Sequence, residues 1–168
     1  MRTFLINSER SSTTGMSDDS HFPEADAPLS DVLDLETFTH TAPILLSDDE
    51  PQIVRLYEVL MSRIHLRTVS IPDGRAALEY MLKKPVSLVI SDLMKPKITG
   101  LDMLKALRQD PTTRDVPFIV VTATPEYESR LAFNALGGNA YLTKPINTRQ
   151  FTDIVVQLLT VQLANEAA

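Results

Sequence analysis

The sequence predicts an α/β protein, a doubly wound five-stranded parallel sheet with five helices. Two observations carry that prediction. From residue 42 onward, short apolar runs alternate five times with stretches whose apolar residues recur at helical spacing. Two of the runs, Val86 to Ser91 and Val116 to Val121, are apolar on both faces, as parallel strands covered by helices on both sides must be.

The elements follow in order. Ile44-Leu45-Leu46 is the first strand, and Pro51 opens a helix on which Ile53, Leu56, Tyr57, Leu60 and Met61 share a face. Leu66, Val69 and Ile71 mark the second strand. Asp73-Gly74 opens a helix through Ala76, Ala77, Leu78, Tyr80, Met81 and Leu82. The third strand, Val86 to Ser91, precedes a helix carrying Leu101, Leu104 and Leu107. The fourth strand, Val116 to Val121, precedes a helix through Leu131, Ala132, Ala135 and Leu136, which Gly137-Gly138 ends. Ala140-Tyr141-Leu142 is the fifth strand, and the last helix carries Phe151, Ile154, Val155, Leu158 and Leu159. Right-handed crossovers put helices on both sides of such a sheet. Its ligands bind beyond the carboxyl ends of the strands.

Length and charge bound the function. A chain of 168 residues holds one domain with a real core. No apolar run approaches the roughly 18 residues that span a bilayer. Phe4-Leu5-Ile6 is too short for the apolar region of a secretory signal. The absence of cysteine excludes disulfides and thiolate chemistry, so a cytoplasmic location is the default expectation. Residues 1–40 hold eight acids and two bases, which accounts for the whole net charge of −6. The remaining 14 acids and 14 bases cancel. A neutral body without a basic stripe argues against direct nucleic-acid binding. The expected organisation is an acidic, disordered tail over residues 1–41, a folded domain over 42–163 and a short C-terminal tail over 164–168. Within the first tail, Ser30 could cap a short helix bearing Val32, Leu33 and Phe38, a docking segment if it is not simply solvated leader.

Chemistry gathers at the strand ends. Strand one ends in Ser47-Asp48-Asp49-Glu50, strand three in Ser91-Asp92, strand four in Val121-Thr122-Ala123 and strand five in Thr143-Lys144-Pro145. Carboxylates held close raise one another's pKa unless a cation intervenes. Mg²⁺, a hard ion with oxygen ligands, suits such a cluster. A carboxylate is also a competent covalent acceptor of a phosphoryl group, with Lys144 and the Thr122 hydroxyl placed to hold its oxygens. Each part alone has an ordinary reading. Asp-Asp-Glu-Pro is a common helix start, Asp92 a loop cap, Thr122 a strand residue and Lys144-Pro145 a loop entry open to a cis bond. The order of all four at successive strand ends carries the signal.

With those residues in place, the sequence resembles the receiver domains of two-component response regulators. The resemblance rests on Ile44-Leu45-Leu46-Ser47-Asp48-Asp49-Glu50-Pro51, on Leu88-Val89-Ile90-Ser91-Asp92 followed by Pro96 and Gly100, on Val121-Thr122-Ala123 and on Tyr141-Leu142-Thr143-Lys144-Pro145. It covers residues 42 to about 163. It implies the flavodoxin-like strand order 2-1-3-4-5. It also implies Asp92 as phosphoacceptor, and Asp48, Asp49, Asp92 and the Met94 backbone carbonyl as the Mg²⁺ site. By the same resemblance Thr122 and Lys144 hold the phosphoryl oxygens, and Tyr141 is the aromatic switch residue paired with Thr122. The implied donor is a histidine kinase or phosphotransfer protein. A downstream protein would read the switched face around the fourth helix, fifth strand and fifth helix. Only a few small or polar residues follow residue 163, so a stand-alone switch is the expectation.

Three positions depart from the family pattern. Lys95 precedes Pro96 and adds a cation near the site that either attracts an anionic phosphodonor or, as the favoured expectation, faces water; Thr99 replaces the usual acid before Gly100, and Ser47 replaces a small apolar residue. Val156 and Val161, off the core stripe of the last helix, are either candidates for homodimer pairing through the same face or ordinary surface scatter. His21, His40 and His65 share no metal-ligand spacing. The competing readings are a Mg²⁺-dependent phosphohydrolase, for which no cap-sized insertion is present, and a receiver-like scaffold that is no longer phosphorylated.

Overall fold

The computed structural model describes residues 41–168. The expectations for residues 1–40, including the short helix from Ser30, lie outside the described residues. The order is β1 (Ile44–Ser47), α1 (Pro51–Arg63), β2 (Thr68–Ser70), α2 (Gly74–Met81), β3 (Leu88–Asp92), α3 (Gly100–Gln109), β4 (Phe118–Thr122), α4 (Tyr127–Ala135), β5 (Ala140–Thr143) and α5 (Thr148–Glu166). The five strands form one sheet in the order β2-β1-β3-β4-β5, and every neighbouring pair is parallel. Fold class and strand order are those the sequence predicts.

Side-chain alternation along each strand splits the core into two layers. Ile44, Leu46, Leu88, Ile90, Ile119 and Val121 point to the side covered by α1 and α5, where Tyr57 and Phe151 stack at 5.1 Å between ring centroids. Leu45, Val89, Phe118 and Val120 point to the side covered by α2, α3 and α4. Fully burying one such aliphatic or aromatic side chain is worth about 1.5–3 kcal/mol, so both layers are needed to hold a sheet this buried. Local signals set the helix starts. Pro51 occupies the first turn of α1, and Asp73 caps α2, its Oδ1 accepting from the Ala76 N–H at 2.9 Å.

Two placements correct the sequence reading. Val156 is buried in the α1/α5 layer at 4% exposure, so it is not available for pairing, whereas Val161 is 54% exposed. The reason is that α5 packs against α1 as well as the sheet, which widens its apolar arc beyond a single stripe. On α4 the buried residue is Phe133, and Leu131 stands half exposed. Phe133 packs edge-on against Tyr141 at 5.5 Å, which anchors the helix through one ring.

Candidate functional site

Because all five strands are parallel, their carboxyl ends lie along one edge, and the register there is tight. Ser47 pairs with Ser91, Asp92 with Val121 and Thr122 with Thr143. Asp48, Asp49, Asp92, Thr122 and Lys144 therefore come together, as their positions at the strand ends predict. Asp48 and Asp92 are buried and Asp49 is exposed. One oxygen from each of the three carboxylates lies within 4.8 Å of the others. Thr122 is fully buried, and its Oγ1 accepts from the Thr124 N–H at 3.3 Å. The Lys144 N–H donates to the Thr122 carbonyl at 2.8 Å, which ties β5 to β4 at the site. The Lys144-Pro145 bond is cis.

Lys144 is the electrostatic hub. Its Nζ donates to Glu50 Oε1 at 2.7 Å and Asp92 Oδ2 at 3.1 Å, and pairs with Asp48 Oδ2 at 3.0 Å. Burial pushes its pKa down, but the hydrogen bonds it donates to Glu50 and Asp92 and its ion pair with Asp48 outweigh that and hold it above the usual lysine range. Burial raises the Asp48 carboxyl, although the Glu50 N–H and Lys144 act against it. Glu50 is the partner that sequence reasoning missed. It stands at the N-cap of α1 without a side-chain cap bond, because its carboxylate is engaged by Lys144. The Asp-Asp-Glu run was its signal, hidden by the helix-start reading.

The trio fits a hard divalent ion by its own geometry. Asp48 Oδ2 is buried and makes no hydrogen bond, its contact with Lys144 being an ion pair outside hydrogen-bond geometry. A divalent ion taking the place of that ion pair would keep the buried oxygen partnered. The segment after Asp92 shapes the rest. The Met94 N–H donates to Asp92 Oδ1 at 3.0 Å while the Met94 side chain is 61% exposed. The start of α3 approaches closely: a Cβ on Gly100 would meet the Asp92 carbonyl at 2.7 Å. Tyr141 is buried, with the Arg130 guanidinium 5.0 Å from its ring centroid.

The largest correction concerns Lys95. Expected at the surface, it is 7% exposed, with Nζ donating to Ser47 Oγ and lying 3.0 Å from Met103 Sδ. Lys97 adopts φ 68° and the Gly100 N–H returns to the Leu93 carbonyl at 3.0 Å, so the loop folds back and turns Lys95 inward. Ser47 supplies the acceptor that an apolar residue would lack. Thr99, the other departure, caps α3.

A doubly wound parallel sheet whose carboxyl edge gathers an acid trio, a hydroxyl and a lysine defines a class of phosphoryl-handling switch domains. The chain belongs to the response regulator receiver domain family, whose profile matches residues 44–156. It is similar to the transcriptional regulatory protein CpxR of Escherichia coli K12, 36% identical over 107 residues, which cover 64% of this chain and 44% of that protein. The chain spans less than half the length of the curated relatives it matches. Among solved structures, a sensor protein from Polaromonas sp. JS666 superposes with a TM-score of 0.65 at 28% identity, covering 71% of this chain and 96% of that one. The receiver domain of a sensor histidine kinase from Pseudomonas aeruginosa PAO1 shares the fold, with a TM-score of 0.65 at 23% identity over 71% of this chain and 98% of its own. That domain was crystallised with magnesium in its active-site cleft. Among the described residues no helix is long and apolar enough to cross a membrane.

Proposed function

We propose that this chain is a phosphorylation-dependent switch of a two-component phosphorelay, with Asp92 as the phosphoacceptor. The supporting observation is the convergence of Asp92 with Asp48 and Asp49 inside 4.8 Å while Lys144 touches its carboxylate at 3.1 Å. The donor is a phosphohistidine on a histidine kinase or phosphotransfer protein. An Asp92 carboxylate oxygen attacks the phosphorus, the P–N bond breaks, and the donor imidazole leaves with a proton from solvent. Lys144 moves from carboxylates to a phosphoryl oxygen, and the Thr122 hydroxyl donates to another. Asp48, Asp49, Asp92 and the Met94 carbonyl would hold Mg²⁺. When bound, this ion neutralises charge on the carboxylates and phosphoryl oxygens.

Output runs through a protein partner. Withdrawal of the Thr122 hydroxyl toward the phosphate breaks its contact with the Thr124 N–H and loosens the loop that leads into α4. Tyr141, packed on Phe133 beneath Arg130, reports that change to the α4–β5–α5 face. Tyr127 and Leu131, both exposed on α4, give the face apolar contact area for a partner or for a second copy of the chain. The working compartment is the cytoplasm. The chain's own chemistry is limited to gain and loss of its phosphate, so it is not an enzyme acting on other substrates.

Incubation with acetyl phosphate and Mg²⁺, followed by intact-mass measurement, tests the reading. A single phosphate added to the wild type and absent in Asp92→Asn is the expected result. Steady turnover of varied phosphoesters would instead identify a hydrolase, and no mass shift a silent scaffold.

A further inference from the structure

The site holds a second lysine that the phosphoryl-transfer reading does not use. Lys95 ends in the core between Ser47, on β1, and Met103, on α3, both themselves fully buried. Neither partner carries charge, so the ammonium is hydrogen-bonded but not neutralised by its neighbours. Its anchor lies next to the acids along the backbone, on the other face of the sheet: Ser47 directly precedes Asp48 and pairs across the ladder with Ser91, which directly precedes Asp92, and successive side chains alternate faces. Burial depresses the Lys95 pKa to about 8, while Asp92, Asp48, Asp49 and Asp73 pull it upward. A buried charge is weakly screened, so its field reaches the carboxylates with much of its strength.

We propose that Lys95, seated on Ser47, is a resident cation of the acid cluster that weakens divalent-metal binding at Asp48, Asp49 and Asp92. The inference rests on the reading of that trio as a metal site. The lysine offsets part of the trio's charge before a metal arrives and repels the metal once it is bound. Lys95 touches neither phosphate nor metal. It is a positioning residue that acts through the field at the acids. Lys144 cannot substitute for it, because a phosphoryl oxygen draws Lys144 away whereas Lys95 is fixed in the core.

Calorimetric titration of the full chain with Mg²⁺ at neutral pH tests this. The proteins compared are wild type, Lys95→Met, Lys95→Gln and an Asp49→Asn control. Methionine matches the apolar stem, and glutamine retains a donor for Ser47, so two neutral side chains with different packing are available. Thermal melts verify that each is folded. Both neutral variants are expected to bind Mg²⁺ about tenfold more tightly than wild type, and Asp49→Asn to abolish the binding. Unchanged or weakened affinity in the folded neutral variants overturns the role of Lys95 while the metal site stands. Tightening by methionine alone assigns the effect to packing and also overturns it. Absence of Mg²⁺ binding in wild type and both neutral variants overturns the metal reading itself.

Discussion

Gly138 has no room for a side chain: a Cβ there would lie 2.1 Å from the Phe133 ring. The ring cannot retreat freely, since it is buried and packs edge-on against Tyr141 at 5.5 Å. Gly138→Ala is therefore expected to destabilise the fold by about 1–3 kcal/mol, the usual range for overpacking a filled core. A denaturant midpoint lowered without a change in slope would show it, and an unchanged midpoint would contradict it. The sequence marks Gly137-Gly138 as a helix end but says nothing of this clash. A helix stop is a local signal, whereas the ring that forbids a side chain becomes a neighbour only after folding. Lys95 follows the same logic. Its acceptor, Ser47, lies 48 positions away in sequence, and the inward turn depends on the backbone at Lys97. Asp92, Thr122 and Lys144 were readable because each sits where an apolar run stops.

Helix α3 shows how a departure at one residue is absorbed by the element. Thr99 takes the N-cap, its Oγ1 accepting from the Asp102 N–H at 3.2 Å, and Asp102 Oδ2 accepts from the Thr99 N–H at 3.0 Å. This reciprocal capping box explains why threonine serves where the family usually has an acid, since both are good N-caps. Thr99→Ala is expected to cost about 1 kcal/mol of stability, read from the same denaturant midpoint. The box also has a pH signature. Hydrogen bonds from the Thr99 hydroxyl and N–H hold the Asp102 carboxyl below its ordinary value of 3.8. A carboxyl depressed in the folded state adds stability above its unfolded pKa and loses it as pH falls through the folded pKa. The stability gap between wild type and Asp102→Asn should therefore be constant above 3.8 and shrink in stronger acid. A gap that persists unchanged in acid would sink this account. Helix α2 was legible from its opening residues and spacing together, and α3 from spacing alone. The arcs of α4 and α5 were misjudged because their neighbours, Tyr141 and α1, set which residues are covered.

At the scale of the molecule, the sheet couples the acid cluster to global stability. The meeting of four strand ends at one edge follows from parallel alternation, and the strand order from the family resemblance, which is why the site's location was legible before any coordinate. The balance of charge within it was not, since Glu50 and Lys95 enter only through tertiary contacts. That balance makes a prediction. In the folded chain Asp48, Asp49 and Asp92 share one small volume, while unfolding scatters them, so a divalent ion that binds the trio binds the folded state alone. Such binding stabilises by RT ln(1 + [L]/Kd), about 2.7 kcal/mol when Mg²⁺ stands at 100 times its Kd. Lys144 already offsets part of the repulsion at 3.0–3.1 Å from Asp48 and Asp92, so the metal-free fold persists and the ion adds to it. Thermal melts in rising Mg²⁺ should move upward by several degrees in wild type and stay flat in Asp49→Asn. Removing the exposed Asp49 carboxylate leaves the buried Asp48 and Asp92 in place, so the comparison isolates the ligand from the core. An equal rise in both proteins would mean that Mg²⁺ acts elsewhere on the surface, and the trio would lose its assignment as the metal site.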